Sequence, residues 1–301
     1  MNVRRLISAA LCGALVLNTP LIYSDISGSD LPDFGDSSGS LISPAQEMAF
    51  GEEFMRYIRA SSKLVSDPDI HGYISQLGQR LVANSDAPSY PFTFFVVDNA
   101  AVNAFAGPGG YIGIHTGLIL TAENESELAG VMAHEIAHVT QRHLLRAYES
   151  AQQMSLPTAA AMIAGILLGV AADSPDAGIA AISAVQAGNI QRQLNFTRAN
   201  EKEADRIGIQ TLARSDIDPY GMPSFFERLY QSTRLYGNNV PEFLSTHPVT
   251  TNRIAEATSR AETYPRKPDY TSLDFLLLRA KLRVNSYNDP KQVLSDFQRY
   301  Q

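Results

Sequence analysis

Asn124-Glu125-Ser126-Glu127-Leu128-Ala129-Gly130-Val131-Met132-Ala133-His134-Glu135-Ile136-Ala137-His138-Val139 is the stretch on which the reading of this chain turns. Asn124, with Glu127 three residues later, is a helix-start signature. Leu128, Val131, Met132, Ile136 and Val139 recur at helical spacing and give that helix an apolar face. His134 and His138 are four apart, so their side chains leave the helix on one side about one turn apart, with Glu135 beside them. Two imidazoles presented this way can share one metal ion while the carboxylate faces an open coordination position. Zinc suits imidazole and carboxylate donors, accepts a tetrahedral site and keeps one position for water. That water's pKa falls towards ~7, and Glu135 takes its proton as it attacks a peptide carbonyl. The competing explanation, a chance five-residue match on a surface helix, sits poorly with a capped, apolar-faced helix.

A third protein ligand is needed, and no glycine and histidine follow His138 at the spacing of the metzincins. The run Asn200-Glu201-Lys202-Glu203-Ala204-Asp205 supplies a candidate on a later helix. Glu201 and Asp205 share a face that continues through Gly208 and Leu212, whereas Glu203 points elsewhere. Glu201 can thus ligate the metal while Asp205 accepts from the free ring N–H of a histidine ligand. Gly208 would let this helix come close to the metal helix. Lys202 and Glu203 fit a solvated face.

Elsewhere the chain reads as helix-dominated α+β with one small sheet. Ser43, Pro44 and Gln46 open a helix running to about Arg59, and Asp67 with Pro68 opens another, carrying Ile70, Ile74, Leu77 and Leu81 on one stripe. Phe92 to Val97 and Tyr111 to His115 are strand candidates. Further helices are expected at Arg198 to Arg214, Met222 to Leu235, Thr250 to Thr263 and Leu273 to Val284. Pro157 to Ala172 is almost wholly apolar and is followed by a second Ala-rich run to Ala187. At sixteen residues it falls short of the ~20 needed to span a bilayer, so a buried helical hairpin is preferred to a membrane-inserted pair. His143, five residues after His138, is expected on the same helix and off the metal face. His71 and His115 have no partner visible in the sequence.

The N-terminus has Arg4 and Arg5 before the apolar run Leu6 to Val16, then a polar segment, which is the layout of a secretory signal peptide cleaved after Ser24. The only cysteine, Cys12, lies in that run, so the mature chain is expected to have no disulfide; Leu11 before it argues against lipid attachment. Loss of residues 1–24 takes the net charge from −7 to −9. That acidity argues against nucleic acid or anionic lipid as the main partner. The expected organisation is signal peptide 1–24, flexible lead-in 25–42, metalloprotease domain 43–267 and helical tail 268–301.

HExxH at 134–138 followed by ExxxD at 201–205 resembles the HtpX-like and CaaX-prenyl-protease-like gluzincins. The likeness covers nearly the whole chain, through Leu31-Pro32, Asn103-Ala104-Phe105, Met132 to Leu144, Asn200 to Ile209 and Thr246-His247-Pro248. It implies a zinc endopeptidase with one Zn²⁺ per chain, and polypeptide substrates drawn from exported, outer-membrane proteins in the periplasm. It places Asp205 behind the zinc site and Asn103 to Gly110 at the edge of the cleft, where a substrate backbone could add as a strand. His247 matches a histidine that approaches the zinc, either as a fourth ligand blocking the water position or as a donor to the tetrahedral intermediate, and Arg253 is expected to stabilise the same oxyanion. Long family members continue into tetratricopeptide repeats that dock on the outer-membrane β-barrel assembly machinery. Here at most one helix pair, about Ser272 to Phe297, corresponds to such an array. Peripheral membrane contact is compatible with this reading. Two alternatives remain: a chaperone or assembly factor whose zinc site is closed by His247, and an integral-membrane protease using residues 157 to 187 as spans.

Overall fold

The computed structural model describes residues 42–150, 187–236, 241–268 and 271–287, without the side chains of 148–150, 187–196 and 233–236. The expected signal peptide, the lead-in up to residue 41 and the apolar hairpin at 157–186 lie outside the described residues. Those described fall within one compact unit, Ser38–Gln301.

The helix expected at the motif is α4 (Glu125–Thr140), capped by the Asn124 side chain, which accepts from the Glu127 N–H. Its surroundings go beyond one apolar face: every residue from Ser126 to Ala137 is buried. Four neighbours enclose it. On one side lies a sheet of β1 (Thr93–Val97), β2 (Ala104–Ala106) and β3 (Tyr111–His115), in the order β1-β3-β2. β1 runs parallel to β3, and β2 pairs antiparallel with it, Phe105 opposite Gly113. A Cβ on Gly113 would sit 2.4 Å from the Phe105 ring, so only glycine accommodates that ring across the strand pair. On the other sides pack α2 (Pro68–Ala83), α6 (Ala187–Arg214) and α7 (Gly221–Tyr236). A helix enclosed all round holds its side chains in fixed rotamers, which a metal site requires.

Around this centre, α1 (Pro44–Ser61) starts with the predicted capping box, the Ser43 N–H donating to Gln46 and the Gln46 N–H to Ser43 Oγ. It closes over the turn Pro108–Gly110, where a Cβ on Gly51 would meet the Pro108 carbonyl at 2.7 Å. Three short helices complete the order: α3 (Thr116–Thr121), α5 (His143–Ser150) and α8 (Glu242–Thr246), with α9 (Thr251–Ala261) and α10 (Leu273–Asn285) after them. No helix among the described residues is long and apolar enough to cross a membrane.

One expectation needs correcting. α4 ends at Thr140, and Arg142 takes a positive φ of 55°, so His143 opens α5 instead of continuing α4. Arg146 secures the break by donating from Nε and Nη2 to the Gln141 carbonyl, the first at 2.8 Å.

Candidate metal centre

α4 brings His134 and His138 to one side, and α6, lying against it, brings Glu201 and Asp205. Gly208 sets that distance: a Cβ there would stand 3.1 Å from the His134 backbone nitrogen and 3.2 Å from the Ala133 carbonyl carbon. His247 follows α8, one turn beyond Phe243, its N–H donating to the Phe243 carbonyl at 2.7 Å. The segment is held by the Phe243 N–H donating to the Val102 carbonyl (2.9 Å) and by Asn103 Nδ2 donating to Glu242 (2.9 Å). The stretch is thus a short helix, with His247 just past its end, tied to the residues that lead into β2.

His134, His138, Glu201 and His247 each present one ligand-type atom within 4.8 Å of the others. His134 Nε2 lies 3.1 Å from His138 Nε2, 3.2 Å from His247 Nδ1 and 3.4 Å from Glu201 Oε2. Glu201 Oε1 is 3.4 Å from His138 Nε2 and 3.1 Å from His247 Nδ1. Donors at ~2.0–2.1 Å from a common tetrahedral centre stand about 3.3–3.4 Å apart. Three imidazole nitrogens and a carboxylate turned on one point at that spacing are a donor set that fits a metal cation.

The remaining groups surround this cluster. Glu135 is 1% exposed, neither carboxylate oxygen has a hydrogen bond of normal geometry, and Oε1 is 3.5 Å from His247 Nε2. Burial pushes its carboxyl above the usual range, opposed by the charges of His247 and His134. Burial would also raise Glu201, but His247 and His138 outweigh it and hold Glu201 well below the usual range. For His134, burial lowers the ring's pKa, yet the carboxylates of Asp205 and Glu201, 3.0 and 3.4 Å away, win and push it up to about 9.

Asp205 Oδ1 stands 3.0 Å from His134 Nδ1, the contact that the four-residue spacing from Glu201 suggests. Its carboxylate is gripped by Arg253, Nε donating to Oδ2 at 2.8 Å and Nη2 to Oδ1 at 2.7 Å. Arg253 Nη1 donates to the Pro248 carbonyl and pairs with Glu201, both at 2.9 Å. The sequence reading expects Arg253 at an oxyanion; here its Nε, Nη1 and Nη2 engage the two acids and a carbonyl, and the residue is 4% exposed. Phe226 and Phe243 wall the cluster, with the His247 ring stacked on Phe243 at 4.8 Å.

Two residues of this neighbourhood were not anticipated. His143 is buried with Nδ1 3.0 Å from His138 Nδ1, and its Nε2 is 3.1 Å from Glu203 Oε2. Glu203, read from sequence as solvated, also pairs with Arg146 at 3.3 Å. Burial would raise the Glu203 carboxyl, but the His143 hydrogen bond and the Arg146 charge hold it below its usual value. No local signal marks the break at Arg142 that brings His143 back. His115, buried edge-on against Phe105, is lowered to about 4 by burial and lies outside the donor cluster.

The sequence profile of peptidase family M48 matches residues 68–261. The beta-barrel assembly-enhancing protease of Escherichia coli (strain K12) is 44% identical over 269 residues, 89% of this chain and 54% of that protein. The Yersinia pestis protein of the same name is 46% identical over 254 residues, 84% and 51%. The mitochondrial metalloendopeptidase OMA1 of Danio rerio is 32% identical over 216 residues, 69% and 43%. The chain spans about half the length of the curated relatives it matches. A family match that takes in α4, α6 and the segment carrying His247 agrees with the resemblance read from HExxH and ExxxD: this chain belongs to peptidase family M48.

Proposed function

We propose that this chain is a zinc-dependent endopeptidase in which His134, His138 and Glu201 hold one Zn²⁺. The observation that carries the reading is the set of donor spacings, 3.1–3.4 Å between atoms of four residues from three separate parts of the chain. Zinc held there supplies Lewis-acid chemistry, making a water acidic enough to lose a proton near neutral pH and polarising a peptide carbonyl. The protein does the rest. Glu135, buried and without a strong partner, is free to accept the proton of the attacking water and to pass it to the departing amine. Asp205 holds the His134 ring through Nδ1, and Arg253 holds Asp205.

β2, at the edge of the sheet and packed against α4, is the place for a substrate backbone to add as a further strand beside Glu135. His247 stands in the donor set through Nδ1, which favours the gating role over donation to an oxyanion: as a fourth ligand it takes the position the water needs. The relatives' names, with the N-terminal pattern at Arg4 to Ser24, support a role in the periplasm on outer-membrane β-barrel proteins, with the assembly machinery as a partner. The same placement of His247 also favours a second reading, an assembly factor whose zinc site rests closed. Elemental analysis of the mature chain and cleavage of casein test both: one zinc per chain, with cleavage abolished by a chelator and restored by zinc, supports the peptidase. Zinc bound without cleavage in either the native chain or His247→Ala supports the assembly factor.

A further inference from the structure

Each of the two histidines on α4 turns one ring nitrogen to the donor cluster and the other away from it. For His134 the nitrogen turned away meets Asp205, itself held by Arg253. His138 has an equivalent support one residue longer. Its Nε2 faces His134 Nε2 and Glu201, and its Nδ1 meets His143 Nδ1 at 3.0 Å. His143 Nε2 meets Glu203 Oε2 at 3.1 Å, and that oxygen is anchored by Arg146 Nη2 at 3.3 Å.

We propose that His143 and Glu203 are positioning residues that fix the tautomer and ring orientation of His138 for metal binding. This rests on the reading of His138 as a ligand. A neutral imidazole that ligates through Nε2 must carry its proton on Nδ1, so His138 Nδ1–H donates and His143 Nδ1 accepts. The His143 proton then sits on Nε2 and is donated to Glu203. A single arrangement of protons satisfies both contacts, and the negative charge of Glu203 makes His143 a better acceptor. The device depends on the left-handed turn at Arg142, which folds α5 back so that a residue five positions after His138 lies beside it, ring centroids 4.8 Å apart.

The test is zinc affinity of the full chain, measured by competition with a fluorescent chelator, with melting of the zinc-free proteins as a check on folding. His143→Leu should weaken zinc binding about 10–100-fold and Glu203→Ala about 10-fold. The double variant should bind no more weakly than His143→Leu, because Glu203 acts only through that ring. His143→Gln should recover part of the loss, since its amide can accept from His138 and donate to Glu203; a purely structural role would not be rescued this way. A folded His143→Leu within twofold of the native affinity overturns the proposal, as does a double variant whose loss is the product of the single losses. If His143→Leu does not fold, an unchanged affinity in Glu203→Ala overturns it instead. A native chain that binds zinc no better than His138→Ala removes the metal reading itself, and the proposal falls with it.

Discussion

His247 and Glu135 face each other across 3.5 Å at the heart of the site, and their neighbours give them different tasks. The Nδ1 of His247 points to Glu201 and His134, and on the proposed reading the ring would compete with water for the fourth position of a bound zinc. His247→Ala should therefore raise basal cleavage of an unfolded substrate several-fold, with zinc still at one per chain. A fall of about 10², the size expected on losing an oxyanion donor, would contradict the gate. At this scale the sequence made Glu201 and Asp205 legible, because four residues on a helix is one turn, and chemistry then ranks a carboxylate beside two imidazoles. It concealed Arg253's engagement with Asp205, a contact 48 residues apart that no local period encodes. His143 was hidden differently: Thr140-Gln141-Arg142 contains no residue that announces a helix end, and the turn with positive φ at Arg142 is spanned by the Arg146 side chain donating to the Gln141 carbonyl.

Between elements, the decisive contact is α4 against α6, and glycine makes it possible. A Cβ at Gly208 would press on the His134 backbone at 3.1 Å, whereas at Gly72 on α2 nothing lies within 4 Å. Both glycines are helical, so intrinsic propensity favours alanine at each by ~1 kcal/mol. Packing should reverse the sign at one of them. In urea denaturation Gly72→Ala should be neutral or stabilising, and Gly208→Ala should lose ~1–3 kcal/mol with weakened zinc binding. A stabilised Gly208→Ala would show that the helices have room to spare. Helices α1, α2 and α4 were readable because Ser43, Asp67 and Asn124 cap them, and β3 because Tyr111 to His115 follows two glycines. β2 was not: Ala-Phe-Ala carries no strand pattern of its own and exists by pairing with β3. The short α3 and α8 likewise lack length for a periodic signal.

Across the whole molecule, the donors at 134, 138, 201 and 247 come from α4, α6 and the segment after α8, so one cation would cross-link elements distant in sequence. Ligand that binds only the folded state stabilises it, by ~2.7 kcal/mol at a hundredfold excess over Kd. Chelation should accordingly lower the melting temperature by roughly 5–10 °C, and zinc should restore it. Identical melting with and without zinc would mean that these elements are held without it. The proposed hydrolysis needs a buried carboxylate acting beside a metal held by its neighbours, and Glu135→Gln separates the two. The amide keeps the volume and the fold but cannot accept a proton. Zinc content and cleavage of casein, measured on the native chain and on Glu135→Gln, should show one zinc per chain in both and a rate lower by ~10²–10⁴ in the variant; native-like turnover by a zinc-loaded Glu135→Gln would contradict the mechanism at its centre.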